Sequence, residues 1–349
     1  MMVDTWFQIL QNLNDMKKIE LIAEIGVNHN GKLSLAKKLI KKAAMAGADY
    51  AKFQIFAAEE LAVKNSKKAS YQEKNLDKKI SQYEMLKKYQ ISKSDIKILN
   101  DYCKKYKIKF LASCFDIESL RLYSKLKNKC VKIPSGEITN LQLIEFAAKK
   151  FEKLIISTGM SNYFEIKRAV QTAIKHGTIR ENITLLQCTT DYPASFREAN
   201  LNCMQEFKKK FKTKIGYSDH TEGNICSIVA ASIGASVIEK HFTLNKKFNG
   251  PDHKASMNYE ELVKLNKKIK LVNTILGSKK KTITPSEIKN FKFVRKSLYA
   301  KKIINIGETF TVMNVATKRP LGGIPANHLK KVLGKKSKKK FKIDEKIQL

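Results

Sequence analysis

Two histidines and two lysines stand where an apolar run has little ordinary use for them. His220 and His241 close the runs KIGYSD and SVIEK, and Lys52 and Lys132 sit inside DYAKFQIF and CVKIPSG. Two imidazoles at neighbouring strand ends can share one metal ion. With no cysteine beside them they leave positions open for water or substrate, which suits Mn²⁺ or Mg²⁺. A lysine buried among apolar neighbours is costly unless an anion or a carboxylate meets it. Around these four fall hydroxyls able to hold phosphate or carboxylate oxygens: Ser113, Ser135, Ser157, Ser218, Thr190 and Tyr192. Glu24, Glu137 and Glu239 are suited to proton transfer, Gln54 lies two residues beyond Lys52, and Asp252 in GPDHKAS is placed to receive hydroxyl groups. The alternative is that the lysines pair with Glu24 and Glu239 as internal structure.

Such residues need a frame that gathers them. Eight β-branched or apolar runs, beginning at Ile19, Asp49, Ile108, Cys130, Lys153, Ile183, Lys214 and Ser236, alternate with amphipathic stretches. In LSLAKKLIKKAAMAG, Leu33, Leu35, Ala36, Leu39, Ile40 and Ala43 share one face and lysines the other. Eight strand–helix units make the α/β class and a (β/α)8 barrel, whose strand C-termini converge on one mouth. Residues 57–92 form a connection too long to be slack, on the face where barrels keep their chemistry.

Residues 16–280 are therefore expected to be the barrel, and residues 1–15 an extension outside the fold, with Met16 a natural start. Residues 281–294 read as a linker. Over 295–349 short strand-like pieces punctuated by Gly and Pro read as a small all-β module.

Composition excludes other classes. A chain of 349 residues, 43% apolar and 9% aromatic, is neither a short module nor a disordered segment. The formal charge of +36 invites nucleic acid or an anionic membrane, yet only six of the 68 basic residues are Arg and the lysines are spread over almost every segment. They read as solvated faces whose field draws in an anionic substrate, with no nucleic-acid or membrane partner. The six cysteines show no CxxC pair and read as reduced thiols of a cytoplasmic protein.

Taken in order, IAEIGVNHNG, AKFQ, KIPSGEITN, ISTGM, CTTDYPA, GYSDHT, IEKHFTL, GPDHKAS and VRKSL followed by TKRP resemble the bacterial sialic acid synthase family, which includes N-acetylneuraminic and legionaminic acid synthases. The resemblance implies a (β/α)8 barrel followed by an antifreeze-like (SAF) domain. It also implies condensation of phosphoenolpyruvate with an N-acetylated amino-sugar aldehyde, pseudaminic acid synthesis being the nearest alternative. On this resemblance His220 and His241 hold a divalent metal, Mn²⁺ or Mg²⁺. Lys52, Lys132, Ser135, Ser157 and Ser218 match phosphoenolpyruvate positions, with Ser113 and Thr190 at strand ends beside them. Glu24, Gln54, Tyr192 and Asp252 match positions around the sugar, and Glu137 an acid/base position. Arg319 matches an arginine that crosses a homodimer to the partner's sugar site, and KASYQ (68–72) resembles the segment near the sugar's N-acyl group. The chain departs from the family pattern at Ser113-Cys114, Gln187 and Thr190. On this reading Lys132→Met weakens phosphoenolpyruvate use with little change in fold.

Overall fold

A computed structural model describes residues 18–69, 72–73 and 80–349. The expected extension 1–15, with Ser70 and Tyr71 of the KASYQ segment, lies outside the described residues. Strands form at β1 (Glu20–Gly26), β2 (Tyr50–Ile55), β3 (Lys109–Cys114), β4 (Cys130–Ile133), β5 (Lys153–Ser157), β6 (Ile183–Cys188), β7 (Lys214–Asp219) and β8 (Val237–His241). They pair in parallel in sequence order, and β8 closes on β1 through Leu21↔Ile238 and Glu24↔His241. Closure removes every sheet edge and leaves two surfaces to fill.

The period of two decides which residue fills which surface. Outward positions such as Leu21, Ala23, Ala51, Phe53, Ala112 and Val131 join the main core against the helices. The helix Leu33–Met45 buries Ala36, Leu39, Ile40 and Ala43 and turns its lysines outward, as its periodicity requires. Inward, Ile22, Tyr50, Leu111, Cys130, Ile155, Leu186 and Val237 fill the barrel floor as a separate cluster.

Two stretches differ from the sequence expectation. The long connection after β2 carries helices at Ala58–Leu61 and Gln82–Tyr89, the second begun by a reciprocal Ser81–Glu84 capping box. Residues 281–294 are not a plain linker, because Pro285–Val294 is helical. Its start was legible: Thr284 caps the Glu287 amide, Glu287 returns the bond, and Pro285 occupies the first turn. Low apolar content hid a local hydrogen-bonding signal that needs no buried face.

The chain divides into compact units at Gly277/Ser278. In the second unit β9 (Ser297–Ala300) and β10 (Val315–Lys318) pair antiparallel. Isolated bridges Ile304↔Phe341 and Thr309↔Lys336 extend that framework. Leu298, Ile304, Phe310, Val315, Phe341 and Ile347 give it a core of its own. No helix among the described residues is long and apolar enough to cross a membrane, and the six cysteines are free thiols.

Candidate active site

Two residues above the barrel floor each strand turns polar. Glu24, Lys52, Ser113, Lys132, Ser157, Cys188, Ser218 and Glu239 occupy these inward positions, each no more than 5% exposed. Burial this deep forces the charges to pair. Lys132 Nζ donates to both carboxylate oxygens of Glu239 at 3.0 Å. Lys52 Nζ lies 2.7 Å from Glu24 Oε2 and 3.6 Å from Glu239 Oε1, and donates to Ser113 Oγ at 2.8 Å. Ser218 Oγ donates to Glu239 Oε1 at 2.9 Å. The lysines thus pair with Glu24 and Glu239, the alternative left open by the sequence.

This pairing corrects the role expected of Glu239. Burial works against its charge, but Lys132 and Lys52 outweigh burial and hold its carboxyl at about 2. It is a fixed anion, not a proton carrier. Burial instead pushes Glu24 up, with Lys52 only partly offsetting it, and pushes Lys132 below the usual ammonium range. For Lys52 the two glutamates overcome burial and raise it.

Hydroxyl and thiol groups crowd around Gly159, after β5. The Gly159 amide donates to Ser135 Oγ at 3.1 Å, and Ser135 Oγ lies 3.1 Å from Cys188 Sγ. A methyl on Gly159 would come within 2.3 Å of Thr190 Oγ1, 2.8 Å of Ser135 Oγ and 3.0 Å of Cys188 Sγ. Gly159 and Cys188 were not singled out from sequence; the ISTGM motif and the inward register of Cys188 were the available signals. We expect Gly159→Ala to raise the KM for an anionic substrate bound here by about 10–200-fold, the range for one methylene too many. Steady-state kinetics at saturating co-substrate measure it, and an unchanged KM would place the anion elsewhere.

Above the ion pairs, the His220 and His241 ring centroids stand 5.5 Å apart. Tyr192 lies 4.1 Å from the His220 ring and 5.4 Å from that of His241. His220 Nδ1 lies 2.6 Å from the Thr189 carbonyl oxygen, which can only accept, so Nδ1 carries the proton and Nε2 keeps its lone pair. Burial lowers His220 to about 4, and burial together with the neighbouring His220 holds His241 well below the usual imidazole range, so both are neutral. His241 Nδ1 is buried with no hydrogen-bond partner, 3.8 Å from Asp252 Oδ2. Two neutral imidazoles with available lone pairs fit a divalent ion. Among the described residues no third His, Cys, Asp or Glu completes a ligand cluster, which leaves other positions to water or substrate.

The remaining expected residues divide. Gln54 Nε2 reaches Glu24 Oε1 at 3.4 Å, and burial pushes Asp252 up to about 7, with Glu24 adding to the shift. Ser157 faces inward from β5. Glu137 sits on the turn after β4 and accepts from Asn140 Nδ2 at 2.9 Å; burial raises its carboxyl. Gln187 alternates to the outer face and donates to the Ala199 carbonyl at 3.1 Å. Arg319 is exposed, in the second unit.

A closed barrel whose mouth unites neutral imidazoles, a buried lysine pair and clustered hydroxyls has the make-up of a barrel enzyme. The chain belongs to the NeuB family, which it matches over residues 39–281, and it carries a SAF domain over residues 295–349. It is 49% identical to the N,N'-diacetyllegionaminic acid synthase of Campylobacter jejuni, covering 95% of this chain and 100% of that one. It is 32% identical to the pseudaminic acid synthase of Helicobacter pylori, covering 93% and 94%. Among solved structures, the N-acetylneuraminic acid (sialic acid) synthetase of Leptospira borgpetersenii, in complex with citrate, superposes with a TM-score of 0.70. That protein is 32% identical, over 79% of this chain and 90% of its own.

Proposed function

We propose that the chain condenses phosphoenolpyruvate with an N-acylated amino-sugar aldehyde and water, giving phosphate and a nine-carbon 3-deoxy-2-keto acid of the legionaminic type. The observation that carries this reading is the buried lysine pair, bonded through Glu239 and Ser113 to the strand-end hydroxyls, with Ser218 Oγ 3.4 Å from the neutral His220 imidazole that neighbours His241. Lys52 and Lys132 offer ammonium protons to the carboxylate and phosphate of the enol ester. The hydroxyls of Ser135, Ser157 and Thr190 supply further donors in a water-poor site, while the Gly159 amide orients Ser135 and the Ser218 hydroxyl holds Glu239. Glu24, Gln54, Tyr192 and Asp252 line the approach of the sugar. C3 of the enol attacks the aldehyde carbon, water adds at C2, and the C2–oxygen bond to phosphate breaks. Glu137, raised by burial and half-exposed, suits the accompanying proton transfer. His220 and His241 would hold Mn²⁺ or Mg²⁺, whose chemistry when bound is Lewis-acid polarisation of an oxygen.

Identity to the legionaminic acid synthase well above that to the pseudaminic acid synthase supports a 2,4-diacetamido-trideoxyhexose as the sugar, with N-acetylmannosamine the simpler relative. Phosphate release measured across these sugars is expected to favour the legionaminic precursor; preference for the pseudaminic precursor would overturn that choice. With ¹⁸O-labelled water, label in the phosphate would exclude carbon–oxygen cleavage.

The protein is proposed to work in the cytoplasm as a homodimer, with the SAF domain of one subunit reaching the partner's barrel. Arg319, exposed in TKRP, suits that contact. Arg319→Ala is expected to raise the KM of the sugar several-fold while leaving that of phosphoenolpyruvate in place, and equal effects on both would count against it.

A further inference from the structure

The helix-facing layer of the barrel is apolar nearly everywhere, yet Asp219 on β7 and Lys240 on β8 meet there directly across the strand pair. Their side chains are no more than 1% exposed, with Lys240 Nζ 3.1 Å from Asp219 Oδ2. Asp219 Oδ1 accepts from the Thr221 amide at 2.9 Å and the Thr221 hydroxyl at 2.7 Å. Asp219 Oδ2 accepts from Ser227 Oγ at 2.5 Å, and Lys240 Nζ donates to the Thr221 carbonyl at 2.5 Å.

Stability does not explain this cluster, because a well-packed apolar pair of similar volume is commonly as stable as a buried ion pair. Its place in the chain does. Asp219 precedes His220, Thr221 follows it, and Lys240 precedes His241. Asp219 bends the backbone on both sides of His220 into one turn, and Lys240 ties that turn to the strand end that bears His241. The Ala194 amide holds the His220 carbonyl at 2.9 Å, and the Met257 amide holds the His241 carbonyl at 2.8 Å. Those bonds tie each backbone to its own neighbouring loop, and the β7–β8 ladder joins the strands themselves; the Asp219–Lys240 pair adds a side-chain tie from the turn around His220 to the strand end that bears His241.

We propose that the Asp219–Lys240 pair, anchored through Thr221 and Ser227, is a positioning device that sets the spacing of the His220 and His241 imidazoles for one divalent cation. This rests on the metal reading of the proposed function. The pair touches neither substrate nor ion and acts only through the two backbones.

The test is Mn²⁺ binding to the full chain, by calorimetry after chelation, alongside the melting temperature without metal. The neutral double variant Asp219→Asn/Lys240→Met removes the tie without stranding a buried charge. It is expected to weaken the Mn²⁺ Kd by about 10–100-fold, the usual cost of losing an outer-shell support, at a melting temperature near that of the parent. A Kd equal to the parent's, whatever the melting temperature, overturns the proposal. If the double variant does not fold, Ser227→Ala decides: it drops one bond to Asp219 and is expected to shift the Kd in the same direction by less, and no shift overturns the proposal. A parent chain that binds no Mn²⁺ would remove the metal reading and this proposal together, which separates the two failures.

Discussion

Lys132→Met is expected to cost both activity and fold. The sequence alone suggested a substitution felt only by the anionic substrate. The structure adds that Lys132 donates to both oxygens of Glu239, a carboxylate 4% exposed, so its removal leaves a buried negative charge held only by Lys52 at 3.6 Å and the Ser218 hydroxyl. Breaking a buried pair from one side costs about 3–5 kcal/mol, which in a unit of this size lowers the melting temperature by about 5–10 °C. Loss of one preorganised cation lowers turnover of phosphoenolpyruvate by a further factor of about 10²–10³. The double variant Lys132→Met/Glu239→Gln separates the effects, recovering most of the melting temperature and none of the turnover. A single variant melting like the parent would mean that the pair is not desolvated as described.

His241→Ala is expected to remove divalent-ion-dependent turnover, a loss of at least about 10³-fold if the ion supplies several kcal/mol to the developing charge. The fold should tolerate the change better than the loss of Lys132, because His241 Nδ1 makes no hydrogen bond that would be left unmet. His220 differs, since its Nδ1 proton serves the Thr189 carbonyl and His220→Ala leaves that acceptor without it. Turnover measured after chelation and after Mn²⁺ return checks the prediction. Full activity of the parent without divalent ions would contradict the metal assignment.

Much of the site was legible before any coordinates. Lys52, Lys132, Ser113, Ser157, Glu24 and Glu239 all follow a floor residue by two positions, Ser218 follows Gly216 in the same register, and the period of a strand brings them to one level. Three features were harder to read. Glu239 reads from the sequence as suited to proton transfer, because a strand-end carboxylate looks the same whether or not a lysine faces it. Gly159 carries no side chain to announce itself, and its role is the space it leaves for Ser135, Cys188 and Thr190. Asp219 and Lys240 alternate to the face where the sequence pattern leads one to expect only packing.

Local rules therefore reached far: strand period, helical face and the number of strand–helix repeats are properties of neighbouring residues, and they determined the barrel and the level at which its polar groups gather. Which charge answers which was decided only by closure of the barrel. Lys132 and Glu239 are 107 residues apart in sequence and 3.0 Å apart in space. Coulomb energy and desolvation depend on that second separation, which no spacing along the chain encodes.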